Sequence, residues 1–167
     1  MDKVLSENIE TAIFAGGCFW GVEYYMKQLP GIISIEAGYI GGHKASPSYK
    51  EVKSHTTGHA EAVRITFDRT LVDYETLAKR FFEIHDPAQT DGQGTDIGPQ
   101  YRSEIFYMNE EQKHIAESLI KVLRNGGLDV VTRLTPASTF WPAEEYHQHY
   151  FEKNGGEPDC HRYVKRF

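Results

Sequence analysis

The stretch Gly16-Gly17-Cys18-Phe19-Trp20-Gly21 constrains this chain more than any other. An apolar run, Thr11-Ala12-Ile13-Phe14-Ala15, precedes it, and Val22-Glu23-Tyr24-Tyr25-Met26-Lys27, a segment able to carry a helix, follows it. The pattern reads strand, tight glycine turn, helix. Glycines let the backbone turn sharply and approach a ligand without an intervening Cβ, so a cysteine directly after them is expected in the first turn of the helix. There the unpaired N–H groups and the positive end of the helix dipole favour an anion, which for a thiol means a lowered pKa and a larger thiolate fraction. A buried cysteine serving as a small apolar residue is the alternative, and the turn by itself leaves both open. Phe19 and Trp20 sharpen the choice. Adjacent helical positions point about 100° apart, so the two rings cannot share one buried stripe. One of them should line the space that the thiol faces, and an aromatic wall suits a small apolar substrate group.

At 167 residues the chain can bury roughly two-thirds of its unfolded surface in a single core, so one domain over 1–167 is expected, with no need of a disulfide scaffold. A net charge of −6 argues against a general nucleic-acid binder and against an anionic-membrane binder. Met1–Glu7 has no apolar h-region, and no run approaches the length of a transmembrane helix, which makes a cytoplasmic protein the expectation. Two cysteines, Cys18 and Cys160, stand at opposite ends of the chain without a C-x-x-C. In a reducing compartment such a pair is more often transient or catalytic than structural.

Further along, Ile32–Ala37 reads as a strand, and Gly38-Tyr39-Ile40-Gly41-Gly42 opens a loop that runs to Tyr49. Tyr49–Lys53 is a possible short helical turn, with Tyr49 either a surface tyrosine or part of a site. The strand Gly58–Phe67 sets Ala60, Ala62, Arg64 and Thr66 on one face and Glu61, Val63, Ile65 and Phe67 on the other. Glu61 thus shares the face of the branched and aromatic residues. Either it lies at the strand end and meets water, or it is paired or has a raised pKa, as a proton donor at neutral pH requires. Asp73 caps a helix with Leu77, Phe81 and Ile84 inward, ending before His85-Asp86-Pro87. Ala88–Arg102 is a long polar, glycine-rich loop in which Asp96, Tyr101 and Arg102 are able to do chemical work. Ser103–Tyr107 is a strand. Asn109 caps a helix with Gln112 at its third position and Ile115, Leu119 and Val122 as the buried stripe, ended by Asn125-Gly126-Gly127. Val130–Leu134 is read as a last strand and Pro142–Tyr150 as a short helix. From Lys153 the chain reads as a flexible coil that carries Cys160. This order of elements suits an α+β two-layer sandwich, with helices packed on a mixed or antiparallel sheet.

Six motifs stand in series: Gly17-Cys18-Phe19-Trp20-Gly21, Gly38-Tyr39-Ile40-Gly41-Gly42, Thr57-Gly58-His59-Ala60-Glu61-Ala62-Val63, His85-Asp86-Pro87-Ala88-Gln89, Asp96-Ile97-Gly98-Pro99-Gln100-Tyr101-Arg102-Ser103 and Ala143-Glu144-Glu145-Tyr146-His147-Gln148. Together, from about Ile13 to Asn154, they closely resemble the peptide methionine sulfoxide reductases of the A class. The resemblance implies an α+β sandwich with a ferredoxin-like core. It implies Cys18 as nucleophile, Phe19 and Trp20 as the wall for the sulfoxide methyl, and Glu61 as the acid that protonates the sulfoxide oxygen. Tyr49 and Tyr101 fall on hydrogen-bond donor positions and Asp96 on an orienting one. The implied reaction reduces the S-sulfoxide of methionine, free and in proteins, and so repairs oxidised proteins. A sulfenic acid forms on Cys18, a second thiol condenses it to a disulfide, and thioredoxin reduces that disulfide. No metal or organic cofactor is implied, and a monomer is expected. One region departs from the pattern: the family's tail commonly has a cysteine after Gly-Tyr, often followed by another, whereas Asn154-Gly155-Gly156-Glu157-Pro158-Asp159-Cys160-His161-Arg162-Tyr163 has Cys160 alone.

Two other classes compete. His147, His149, Cys160 and His161 are soft metal ligands by type, although His147 and His149, two apart, diverge on a helix. A cysteine hydrolase would pair Cys18 with a histidine base such as His59 or His85.

Overall fold

The computed structural model describes residues 8–167; Met1–Glu7, read above as lacking an apolar leader, lie outside them. The elements in order are β1 (Ile9–Gly16), α1 (Phe19–Met26), β2 (Ile32–Ile40), α2 (Tyr49–Lys53), β3 (Ala60–Asp68), α3 (Tyr74–Ile84), β4 (Gly92–Gln93), β5 (Asp96–Ile97), β6 (Ser103–Tyr107), α4 (Glu110–Asn125), β7 (Arg133–Pro136), β8 (Trp141–Pro142) and α5 (Tyr150–Asn154), with 3-10 turns at Pro99–Tyr101 and Glu145–His147. One sheet has the strand order β7-β6-β1-β3-β2-β8, and β4 pairs with β5 in a small separate ribbon. Among the described residues only β6 and β7 are parallel neighbours; β1, β2, β3, β6 and β8 pair antiparallel. Since β1 and β2 both run antiparallel to the β3 between them, α1 connects two parallel strands across a third. The connection from β3 through α3 to β6 does the same across β1. Two interleaved βαβ units of this kind make the ferredoxin-like core of an α+β sandwich.

Period-two alternation sorts the side chains of the central strands. Ala12 and Phe14 of β1 and Val63, Ile65 and Phe67 of β3 face the layer of α1, α3 and α4, where Val22, Met26, Leu77, Phe81, Leu119 and Leu123 complete the main core. The reverse face carries a smaller cluster: Ile13, Ala15, Ile40, Ala60, Ala62, Phe106 and Phe140. The Arg64 guanidinium lies 4.6 Å over the Phe140 ring and its Nη2 is 2.7 Å from Glu36 Oε1, so its stem covers apolar surface while its charge stays paired. Asp73 caps α3 by accepting from Thr76 N–H at 2.8 Å, as its sequence position suggests.

Several expectations are corrected. β2 continues through Gly38-Tyr39-Ile40, because β3 pairs with it to the Ile40–Ala60 position; the loop begins at Gly41. In α4 the buried face holds Ala116, Leu119, Ile120 and Leu123, while Val122 is 54 % exposed. Gln112 sets this rotation: asparagine-capped at the helix start, it turns inward, donates to Thr11 O at 2.9 Å and accepts from Met108 N–H at 2.9 Å. The run Val130–Leu134 yields a strand only from Arg133, since Val131 N–H is drawn away to Pro87 O at 2.7 Å. Pro142–Tyr150 is not a helix. Trp141–Pro142 adds an edge strand to β2, and the Gln148 amide brackets Ala37 like a further strand residue, accepting from its N–H at 2.8 Å and donating to its C=O at 2.9 Å. Helix α5 starts only at Tyr150.

The segment after α5 is irregular, as expected, but it is docked. His161 is buried against Gly16, Val164 N–H donates to Glu83 O at 2.7 Å, and Arg166 Nε donates to Phe82 O at 2.7 Å. Among the described residues no helix is long and apolar enough to cross a membrane.

Candidate active site

β1 lies inside the sheet, so its C-terminal end delivers Gly16 and Gly17 to the middle of one sheet edge. Gly17 has φ +96°, a left-handed conformation that side chains disfavour. The turn leaves Cys18 at the N-cap of α1, where its carbonyl accepts from Gly21 N–H at 3.1 Å and Val22 N–H at 3.3 Å. The helix does not cap itself with a side chain from Cys18. Its first N–H, that of Phe19, donates instead to Glu61 Oε1 on β3 at 3.2 Å. Glu61 is 1 % exposed. A helix start therefore holds a buried carboxyl on the N–H of the residue that follows the cysteine.

The two groups influence one another. Burial pushes the Glu61 carboxyl from 4.5 up to about 8; the charge of Asp96 adds to this, while the Phe19 N–H and Lys53 oppose it. Glu61 is thus largely neutral at pH 7. Burial also pushes the Cys18 thiol well above its ordinary range, helped by negative charge on Glu61 and Asp96 and opposed by the N–H groups of Trp20 and Gly21. The helix-start effect expected for the thiol exists, then, but desolvation exceeds it, and the resting residue is a thiol.

Cys18 opens on a cavity of about 640 Å³ whose wall includes Trp20, Tyr49, Asp96, Tyr101 and Cys160. Each arrives from a different element. Tyr49 begins α2, whose start is fixed by a reciprocal Ser48–Glu51 capping box and by Glu144, which accepts from Tyr49 N–H at 2.9 Å and from Tyr39 Oη at 2.8 Å. Tyr101 ends the 3-10 turn that Arg102 clamps, donating to Pro99 O and Gly58 O at 3.0 Å each and to Glu104 Oε1 at 2.6 Å. Arg102 is therefore a brace, and not one of the residues facing the cavity. Burial, together with the charge of Glu61, pushes the Tyr49 hydroxyl up to about 12 and the Tyr101 hydroxyl higher still, so both are proton-bearing donors at any physiological pH. The Trp20 indole is pinned from two sides: it stacks on Tyr150 with centroids 3.7 Å apart and planes 5° from parallel, and Nε1–H donates to His147 Nδ1 at 3.0 Å.

Phe19 corrects the implied two-ring wall. It is fully buried behind the cavity surface, against the rings of His147 at 5.1 Å, Tyr39 at 5.7 Å and Tyr49 at 6.4 Å. The 100° argument, by which only one of the adjacent rings faces the thiol, describes what is seen. Cys160 reaches the same cavity from the tail, with its Sγ 3.4 Å from Thr95 Oγ1.

The competing constellations do not assemble. His59 is spent on Gly42 N–H and Lys44 O, while His85 is buried between Phe81 O and Ser103 Oγ with a pKa pushed down to about 3 by burial; neither lines the cavity with Cys18. His147 sits on Trp20, His149 beside Glu23 and Glu152, and His161 on Gly16; no group of three metal-ligating side chains converges among the described residues. The sequence offers no role for Glu144 or Gln148 and only a metal-ligand role for His147, although the motif holding all three is in plain view. Their work is to fix Tyr49, Trp20 and the edge of β2 across more than 90 residues of chain, which no local pattern displays.

A thiol, two neutral tyrosine hydroxyls and one aromatic wall around a cavity, with a neutral buried carboxyl bonded to the same helix start as the thiol, suit attack on an electrophilic centre that bears a basic oxygen and a small apolar substituent. The comparisons with known proteins agree. The family model for peptide methionine sulfoxide reductase matches residues 10–167. The peptide methionine sulfoxide reductase MsrA of Acinetobacter baumannii (strain AYE) is 49 % identical over 152 residues, covering 91 % of this chain and 88 % of the relative. Reduced Mxr1 of Saccharomyces cerevisiae superposes with a TM-score of 0.87 at 30 % identity, over 96 % of this chain and 94 % of that one. The structure of Mxr1 in complex with Trx2 shares the fold, at a TM-score of 0.63 and 19 % identity over 94 % of this chain and 91 % of that one. The chain belongs to the peptide methionine sulfoxide reductase family.

Proposed function

We propose that the described chain acts as a single, monomeric catalytic domain in the cytoplasm, reducing methionine S-sulfoxide, free and in proteins, and thereby repairing oxidised proteins. The observation that carries the reading is the buried Glu61 carboxyl, held neutral at the start of α1 on the N–H of the residue that follows Cys18. A sulfoxide oxygen leaves poorly unless a proton reaches it as the S–O bond breaks. Cys18 attacks the sulfoxide sulfur, and Glu61 supplies the proton. Tyr49 and Tyr101 donate hydrogen bonds to the oxygen, and Asp96 orients the cluster. Trp20, backed by Phe19, takes the methyl group. The S–S bond to Cys18 forms as the S–O bond breaks and the oxygen departs as water; a water then attacks the Cys18 sulfur, the S–S bond breaks, methionine leaves, and Cys18 is left as a sulfenic acid with one proton returned to Glu61. Cys160 then condenses with it, forming a Cys18–Cys160 disulfide and water. Thioredoxin returns both thiols, a partner in line with the Mxr1–Trx2 complex.

Rapid mixing of the reduced protein with methionine S-sulfoxide, without reductant, tests the scheme. Wild type should release about one methionine per chain and end as the disulfide. Cys160→Ser should release the same methionine and end as a sulfenate, losing most turnover with thioredoxin but regaining much with dithiothreitol. Cys18→Ser should release none; any methionine from that variant refutes the nucleophile, and full thioredoxin-dependent turnover by Cys160→Ser refutes the second thiol.

A further inference from the structure

The residue after Cys160 sits in a socket shaped to it. His161 is buried, and its Nε2–H donates to the carbonyl of Gly16 at 2.7 Å. Burial pushes its pKa down, which keeps the ring neutral. The ring occupies space that only glycine leaves free: a Cβ on Gly21 would collide with His161 Nδ1, and one on Gly17 would stand 3.0 Å from its Nε2. On the near side Cys160 packs over Gly94, whose missing Cβ would lie 3.3 Å from the cysteine Cβ, with Thr95 Oγ1 beside the sulfur. Upstream, Gly155 and Gly156 have positive φ of 74° and 87° and no neighbouring atoms within 4 Å of a built Cβ. Downstream, the next backbone tether is Val164 N–H on Glu83 O. The tail thus leaves α5 through an unpacked glycine pair, meets Thr95 and Gly94 through Cys160, and is held at His161 by the ring on Gly16 O and by its own carbonyl, which accepts from Tyr25 Oη at 3.5 Å.

We propose that His161 is a positioning residue for the second half of the reaction, seating Cys160 on the same Gly16-Gly17 turn that presents Cys18. The inference rests on the reading of Cys160 as the second thiol. The carbonyl that holds His161 is two residues from the nucleophile, so one turn sets the geometry of both sulfurs. In the step served, the Cys160 sulfur attacks the sulfenic sulfur of Cys18. The S–S bond forms as the S–O bond breaks, and the departing oxygen leaves as water with the proton shed by Cys160. Cys160 is oxidised and Cys18 reduced in the same displacement. Such a displacement needs the incoming sulfur in line, and fixing it in place raises its effective concentration above that of a thiol on a loose tether.

The test compares reduced wild type, His161→Ala, His161→Leu, His161→Gln and Cys160→Ser after mixing with methionine S-sulfoxide. Methionine is followed by rapid quench, sulfenate by a trapping reagent and disulfide by mass spectrometry, with circular dichroism confirming each fold. Every His161 variant should still release about one methionine per chain, and the rate of that first step is recorded separately, because His161 also lines the cavity beside Cys18. His161→Ala and His161→Leu should form the disulfide about 10-fold or more slowly and accumulate sulfenate, because neither donates to Gly16 O. His161→Gln, whose amide reaches that carbonyl, should recover to within about threefold. Dithiothreitol should restore the turnover that thioredoxin cannot. Wild-type disulfide rates in His161→Ala and His161→Leu, with Cys160→Ser still stalling as sulfenate, would overturn the positioning role and leave the second thiol intact. A wild-type rate in His161→Leu alone would overturn it equally, since the ring would then be an apolar plug. Full thioredoxin-dependent turnover by Cys160→Ser would overturn the second-thiol reading itself, and the His161 role with it.

Discussion

Replacing Glu61 by glutamine should make the protein more stable at neutral pH while disabling it. Burial raises the carboxyl from its ordinary value of 4.5 to about 8 in the folded chain. Below pH 4.5 both folded and unfolded chains hold the proton, and ionisation of Glu61 has no effect on stability. Between 4.5 and about 8 the unfolded chain releases the proton and the folded chain keeps it, so the folded state binds more protons and stability falls as pH rises. Above about 8 both forms are ionised and the slope vanishes. Each pH unit inside the window costs about 1.4 kcal/mol, which makes the accumulated loss at pH 7 ~3 kcal/mol. Glutamine cannot ionise, and its carbonyl can still accept from Phe19 N–H. The amide has two N–H donors where the protonated carboxyl has one O–H, and the extra unmet donor takes back about 1 kcal/mol. The net gain at pH 7 is ~2 kcal/mol, or about 4–8 °C in melting temperature for a chain of this size. Melting curves of both proteins from pH 4.5 to 8.5 provide the assay, alongside single-turnover release of methionine, which should slow ~10²-fold with the acid removed. The gap in melting temperature should open as pH rises from 4.5. Two curves that run parallel across the range would show that Glu61 ionises freely in the folded chain and is no reservoir of protons.

Three more outcomes follow from the same geometry. Gly17→Ala forces a side chain into φ +96° with its Cβ 2.7 Å from Gln93 Cβ, so unfolding in urea should show a loss of ~2–4 kcal/mol. Tyr49→Phe and Tyr101→Phe each remove one donor and should slow methionine release about 10-fold; because the Tyr49 hydroxyl titrates only near 12, the wild-type pH profile should show no tyrosine limb below pH 10. Methionine R-sulfoxide, presented at equal concentration, should be reduced at least ~10²-fold less efficiently than the S epimer, since in the proposed pose Trp20 takes one place around the sulfur and Glu61 with the tyrosines another; equal efficiencies would refute this placement.

Much of the fold was legible because it is written in local periods. Alternation along Ala60–Phe67 put Glu61 on the helix-facing side of β3, and Asp73 and Asn109 announced the helices they cap. What escaped depends on long-range contacts. Val122 looks as apolar as Leu119, and only the tie from Gln112 to Thr11, 101 residues away, turns it outward. The tail looks like free coil because its composition carries no period, yet a histidine finds a socket made by glycines some 140 residues earlier. Of the site, Cys18, Trp20, Tyr49, Asp96, Tyr101 and Cys160 line one cavity, and Glu61 is buried behind it on the Phe19 N–H. The ionisation of Cys18 was misjudged from sequence because the dipole of a helix start is visible in a turn motif, whereas desolvation appears only when the layers above and below the turn are in place.

That misjudgement bears on how the reaction starts. Reduction of a sulfoxide by a thiol consumes no external proton: the hydrogen lost by sulfur is matched by the one on the sulfenic oxygen. A site with Cys18 already ionised and Glu61 neutral would hold one proton for the pair, and a site with both protonated holds two. Burial favours the second arrangement. The dominant cost of ionising Cys18 is desolvation, and the next is negative charge on Glu61, which is absent while Glu61 keeps its proton. The thiol is therefore easiest to ionise in the state where the acid is still loaded. When the sulfoxide oxygen takes the Glu61 proton, the sulfur becomes more electrophilic, and the carboxylate left behind is a base held against the same helix start as the thiol. It can take the Cys18 proton as the S–S bond forms. In the proposed reaction Glu61 thus hands one proton forward and receives one back, and neither a free thiolate nor a bare buried carboxylate has to persist. Since the relay requires a loaded acid, the rate of methionine release should be flat below pH 7 and fall as pH passes about 8, where Glu61 empties. A rate that instead climbs through pH 8 and 9 would mean that a pre-formed thiolate limits the reaction and that the proton does not travel through Glu61.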